Sequence, residues 1–333
     1  MADLKLYNDQ FYGGQVEALA QNIARIAALT RGAIQITANR VLGNYGYRSF
    51  FKDIDVDTRR DVSSTSDAAG IALTQDEFVS VKQHRKIGPL ENKATEFRSM
   101  GKNDQEMSLV IGRMVGDKKL QTELNAGLIA AHAAIVNQSN LLLDATALTT
   151  KYTTGTNLIK ALALMGDKAA DIVCFVMHSQ CYFDLMQGQA DLTLDRVAGA
   201  VLVEGTPATL NRPVLVTDAS CLATAAAGTS TSASGDDVAA YWDILGLKAN
   251  AVRVDESEQD ETVFEKVTGK ENILYRFQSE YAINIGVDGF KWDVSNGGSN
   301  PTDSTLGTGS NWDKAVTNDK SLAGVACRVN AKS

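Results

Sequence analysis

The chain has 333 residues, of which 44% are hydrophobic and 22% charged, and its net charge is −8. These values fit a soluble globular protein and exclude a disordered chain. No window of eighteen uninterrupted apolar residues predicts a membrane span. A pI near 5.0, with no run of lysine and arginine, argues against a protein that grips phosphates with a basic face.

The length allows one elaborate domain or two smaller ones. The first residues, Met1 to Asn8, lack the apolar core of a secretion signal, so the chain is expected to start in a cytosol. Residues 14–31 have the period of an amphipathic helix, with Val16, Leu19, Ile23 and Ile26 on one stripe. The stripe fits packing on its own domain or on a neighbour.

From Tyr45 to about Met100 the chain is polar and rich in both charges, with two strand-like ends around a tip at Ser63 to Asp67. So long a segment with few core residues predicts an arm that finds its partners on another chain. Residues 107–137 carry the longest helical pattern, with Met107, Val110, Met114, Leu124, Leu128, Ala131 and Ile135 on one face. Such a helix would be a rod of about 45 Å, and Gly116, followed by Asp117, Lys118 and Lys119, is expected to bend or fray it.

Asp171 to Met177 reads as a buried strand, and His178-Ser179 opens a helix through Met186 with Ser179 as its cap. A second short strand follows at Pro213 to Asp218. Ala219 to Asp236 reads as a loop, Asp237 to Val254 returns to strand, and Asp255 to Glu261 reads as an acidic loop.

The clearest pattern comes last. Ile273, Tyr275, Phe277, Tyr281, Ile283, Ile285 and Val287 are all odd-numbered, so one face of this strand is meant to be buried. The even side, with Asn284 and Asp288, is expected to face solvent or a neighbour. At Gly289 the phase flips to Phe290 and Trp292, which marks a bulge or turn. A turn-rich connection with a lone Trp312 follows. The whole is α+β, a mixed middle region set between a long helix and a long antiparallel strand.

The residues carry little chemistry. Cys174, Cys181, Cys221 and Cys327 show no paired spacing and read as reduced thiols. His84, His132 and His178 are the only histidines, and they lie in remote segments, which argues against a zinc site. His178 and Cys181 stand three apart, the spacing of a nucleophile and base, with no third partner in view. No glycine-rich phosphate loop and no nucleophile elbow occurs.

The order of these parts, with Arg212-Pro213-Val214-Leu215-Val216-Thr217-Asp218, Gly246-Leu247-Lys248-Ala249, Gly289-Phe290-Lys291-Trp292, Asn300-Pro301-Thr302 and Asn311-Trp312, resembles the major capsid proteins of tailed bacteriophages with the Hong Kong 97-type fold. Ser179 and Asn211 depart from that family's usual proline and glycine.

The resemblance implies an N-terminal arm and helix over 1–44, an extended hairpin arm over 45–102 and a peripheral domain with a spine helix over 103–154. An axial domain over 155–262 and peripheral C-terminal strands over 263–333 complete the division. It implies no catalytic, cofactor-binding or metal-binding residue and no cofactor. The partners it implies are further copies of the chain in pentamers and hexamers, a separate scaffolding protein, a portal protein, and optionally a decoration protein. The shell would be icosahedral and enclose double-stranded DNA without reading its sequence, with assembly in the host cytoplasm and a final place in the virion.

Relatives also form a lysine–asparagine crosslink between subunits. Lys82, Lys86 and Lys93 stand in the arm, but such residues are common on any surface and no crosslink is expected. The alternatives are an encapsulin-like protein compartment and, behind it, a soluble enzyme.

Overall fold

The computed structural model describes residues 30–52, 72–93, 104–187, 212–224 and 241–330, with single positions among 16–28, 59–70 and 95–96. In chain order these residues form β1 (Ile34–Ala38), β2 (Tyr45–Phe51), β3 (Gln75–Lys93), helix α1 (Asp104–Val136), β4 (Leu142–Asp144), helix α2 (Gly155–Ala163), β5 (Ile172–Met177), β6 (Val214–Val216), β7 (Ala223–Thr224), β8 (Tyr241–Lys248), β9 (Val252–Val267), β10 (Leu274–Val287), β11 (Phe290–Trp292), β12 (Trp312–Lys314) and β13 (Gly324–Asn330).

Two sheets share one core. The first has the order β1-β9-β10-β3-β2, and the second the order β4-β13-β8-β5-β6, with β7 also paired to β8. Helix α1 packs on β9, β10 and β13, and α2 packs on β13. The buried apolar residues of both sheets and of α1 belong to one continuous cluster.

β10 has the alternation its sequence demands. Phe277, Tyr281, Ile283, Ile285 and Val287 are all buried, while Tyr275 is half-buried and Ile273 lies before the strand, exposed. The even side departs from expectation near the C-terminal end. Ala282 and Asn284 are buried too, because β10 is a central strand, and Asn284 donates from Nδ2 to Ser80 Oγ at 2.9 Å.

Gly289 makes the turn out of β10 with φ of +81°. A Cβ there would stand 2.8 Å from Leu322 Cδ2, so glycine is required by both conformation and space. The turn delivers β11 to β12, where Trp292 pairs with Trp312 and their rings meet edge to face at 5.1 Å. Both indoles are buried, and each N–H finds a carbonyl at 3.0 Å, Gly298 for Trp292 and Leu306 for Trp312.

α1 runs unbroken for 33 residues, about 50 Å, through Gly116. The expected bend is absent: Val115, Gly116, Lys119 and Leu120 are buried on either side of it, so tertiary packing holds the turn. The helix approaches β9 so closely at Gly127 that a Cβ would lie 2.9 Å from Val252 Cγ1 and Val254 Cγ2.

The expected stripe of α1 holds only in its second half. Leu128, Ala131 and Ile135 are buried and Leu124 half-buried, but Val110 and Met114 are exposed. In their place the first half buries Lys119 and Glu123.

The acidic stretch 255–261 is also corrected, from loop to the middle of β9. Its carboxylates meet cations from far along the chain: Glu258 lies 2.7 Å from Lys82, and Glu256 and Asp260 lie 2.7 and 2.8 Å from Lys119. With cations drawn to it in this way, a run of charges can occupy a strand.

β2 and β3 form an antiparallel hairpin, with Tyr45 opposite Val81 and Phe51 opposite Gln75, and β3 then continues along β10 as far as Lys93. At the expected tip, Ser63, Ser64, Thr65 and Asp67 are exposed and Ser63 lies in a turn, while the expected loop beyond Thr224 lies outside the described residues. Within 219–224 the chain makes a short turn and β7. Leu19, Ile23 and Ile26 are helical and half-buried against the core, in keeping with the amphipathic stripe, while Val16 is exposed.

Candidate functional site

The strand-to-helix turn after β5 is the strongest place to look for chemistry. His178 stands at the cap position of the helical residues 179–187, and its Nδ1 accepts from the Gln180 N–H at 3.2 Å. The cap is therefore His178 rather than Ser179. Ser179 instead bonds Asp218, holding that carboxyl below the usual carboxylate range. The other ring nitrogen of His178 is 3.5 Å from Asp218, and the ring stacks on Trp242 at 4.1 Å.

Cys181 is buried, and burial pushes its thiol up to about 12. A nucleophilic cysteine needs the opposite shift. With no bond between His178 and Cys181 among the described residues, the pair acts as cap and packing.

The remaining titratable groups behave likewise. Burial pushes Cys174 and Cys221 up to about 11 and Cys327 up to about 12. All four cysteines are free, Cys221 being half-buried and the others buried. His132 Nε2 lies 2.8 Å from Asp243, which also accepts from Arg328 at 2.8 and 2.9 Å. Burial would raise the Asp243 carboxyl, but the bonds from Arg328 and His132 outweigh it and hold it below the usual range. Arg328 in turn lies 4.2 Å from the Tyr241 ring. This network fastens β13 to β8 and to α1 and exposes no reactive group.

Among the described residues no three His, Cys, Asp or Glu side chains are arranged to hold a metal ion, and no helix is long and apolar enough to cross a membrane. Of the arm lysines, Lys82 is buried and paired to Glu258, whereas Lys86 and Lys93 are exposed.

What the chain does present is apolar surface. On the hairpin, Tyr47 is 60% and Phe51 59% exposed, and Leu73 beyond the described gap is also exposed. At the far end of the first sheet Leu90, Val263 and Ile273 are exposed, and on the second sheet's side Ile159, Phe183, Met186 and Val216. Single exposed apolar residues are ordinary, but groups of them on each extremity are surfaces made to be covered. Sequence reading placed the arm but missed the other two groups. Phe183 and Met186 lie three apart on one helical face, a spacing that was open to inspection.

A model of the major capsid protein 13-like family matches residues 3–326. No curated protein matches. Among solved structures, the chain is similar to the capsid of cyanophage Pam1, with 14% identity, a TM-score of 0.51, and 90% of this chain and 88% of that chain covered. The capsid of Ralstonia phage GP4 gives 11% identity, a TM-score of 0.53, and 91% and 88%. The capsid of Helicobacter pylori bacteriophage KHP30 gives 10%, 0.51, and 90% and 88%. At these identities the likeness is one of fold, the Hong Kong 97-type α+β fold.

Proposed function

The chain belongs to the major capsid protein 13-like family, and from that premise we propose how this phage major capsid protein builds its shell. It is a structural protein of the virion capsid, and its shell is a homo-oligomer of this chain. The compartment alternative is not favoured, since the family is one of capsid proteins.

In our reading the copies close as pentamers and hexamers of an icosahedral lattice, joined by many modest contacts that multiply across it. The observation that carries this is the hairpin of β2 and β3. It exposes Tyr47 and Phe51 while its second strand continues into the central sheet, so an arm rooted in the core offers apolar side chains that the described residues leave uncovered. The hairpin arm of 45–102 would lie over a neighbour.

The division into domains follows the chain in this proposal. β5 to β8 support the axial unit of 155–262, and α1 with β10 the peripheral one of 103–154 and 263–333, from which β4 and β13 join the second sheet. Double-stranded DNA would fill the interior without being read. A net charge of −8 supports a wall that does not hold a polyanion tightly. A separate scaffolding protein, a portal protein and an optional decoration protein would take part, assembly would run in the host cytoplasm, and the subunit would perform no catalysis and need no cofactor.

Electron microscopy of the chain co-expressed with the scaffolding candidate from its own phage tests the reading. Closed shells of uniform size are expected. A discrete monomer or dimer under every assembly condition would sink it.

A further inference from the structure

The first half of α1 buries two charged side chains one turn apart, Lys119 and Glu123. Residues four apart share a helix face, and this face lies on β9 and β10. The Lys119 ammonium stands 2.7 Å from Glu256, 2.8 Å from Asp260, 3.8 Å from Glu123, and 5.0 Å from the centre of the Tyr281 ring. One cation thus faces three carboxyl groups.

The three are not served equally. Asp260 takes both well-aligned bonds from Lys119, at 2.8 and 3.0 Å. Glu123 is wholly buried, and neither of its oxygens accepts a hydrogen bond. Glu256 Oε1 is held in an ion pair 2.7 Å from the ammonium.

Three ionised carboxylates against one ammonium would leave two negative charges uncompensated, and while Glu256 is 27% exposed and can hydrate, Glu123 is cut off from water and bears the cost. A proton on Glu123 removes one of those charges. It also supplies an O–H that Glu256 can accept, which gives Glu123 the partner it lacks. The other titratable and charged groups beside the seam are Tyr281 of β10 and Arg85 of β3, and neither restores the balance. Arg85 is bound to Gln83 and Asp303, and burial above all pushes the Tyr281 hydroxyl up to about 12, leaving it neutral.

We propose that Glu123 is a proton-carrying latch, which holds the first half of α1 on the face of β9 and β10 when protonated and loosens it when the proton leaves.

Burial is the largest cause acting on this carboxyl. Glu256 and Asp260 add to it against the pull of Lys119, and together they push Glu123 up to about 8. In an unfolded chain a glutamate titrates near about 4.3. The folded form therefore binds the extra proton between those values. Its contribution to stability is fully present below about 4.3, falls as the pH rises, and is lost once the pH passes about 8.

The second half of α1 buries no carboxyl, and its one titratable group, His132 on Asp243, is left unchanged by the Glu123→Gln substitution, so this half serves as the internal control. Amide hydrogen exchange of the full chain, corrected for intrinsic rate and followed from about pH 6 to pH 9, reads both halves. Protection of residues 115–125 is expected to fall about tenfold or more while that of 128–136 holds, and Glu123→Gln is expected to make the first half as insensitive as the second. An equal fall in the wild type and in Glu123→Gln would overturn the latch.

Should that variant not fold, difference infrared spectra of the wild type decide. One protonated-carboxyl C=O band is expected to vanish between those pH values, when surface carboxyls are long ionised. Its absence at the lower pH would overturn the proposal.

Discussion

The two halves of α1 meet the same protein in opposite ways. From Ala126 to Ile135 the buried face is alanine, glycine, leucine and isoleucine, set against β13 and the tryptophan turn. From Val110 to Glu123 the helix shows Val110 and Met114 to the outside and presses Lys119 and Glu123 inward. The later seam is fixed mainly by shape, because close-packed side chains have one good arrangement, with the His132–Asp243 contact beside it. A seam with buried charges depends on the protons it holds, and so on its surroundings.

The contrast can be broken at the dry end first. Trp312→Ala removes a buried ring from between Trp292 and the turn at Leu306 and orphans that carbonyl. It should cost about 4 to 5 kcal/mol, read from denaturant unfolding of the unassembled chain. A loss under about 1 kcal/mol would show that the tryptophan turn is no anchor.

Lys119→Met comes next. It strands the carboxyl groups of β9 and Glu123 without their cation and should cost about 3 kcal/mol at neutral pH, with much of the loss recovered in mild acid as the carboxyls protonate. A loss independent of pH would mean that the seam is held by packing, as the other half is. The smallest effect belongs to the exposed face. Met114→Ser should alter unfolding by no more than about 0.5 kcal/mol, yet reduce the yield of shells if a neighbour covers that face. Unchanged assembly would leave Met114 without a role between copies.

The same contrast explains what the sequence made legible. The odd-numbered face of β10, the turn at Gly289 and the second half of α1 follow from local period and residue type, and each is found as read. Lys119 and the acidic run of β9 were misread, and Glu123 was passed over. A buried lysine or a strand of carboxylates makes sense only beside its partner, and those partners lie over a hundred residues away in the chain. Ser179 failed as a cap for a smaller reason: the histidine before it has a ring nitrogen in the same reach. The exposed groups on the hairpin and on the helical residues after His178 were harder to value, since an apolar side chain looks the same in sequence whether its cover is internal or another copy.

β3 joins these themes. Val81 is the one residue that pairs both ways, opposite Tyr45 in the hairpin and opposite Ile285 in the central sheet. The strand passes through it in steady register from Gln75 to Ile87, before a bulge at Gly88 and Pro89 shifts its pairing on β10. It is therefore a lever with its fulcrum at the edge of the core. A load that an adjoining copy placed on the hairpin would meet no irregular segment between Gln75 and Ile87 and would be delivered to β10, the strand on which the proton-sensitive half of α1 rests.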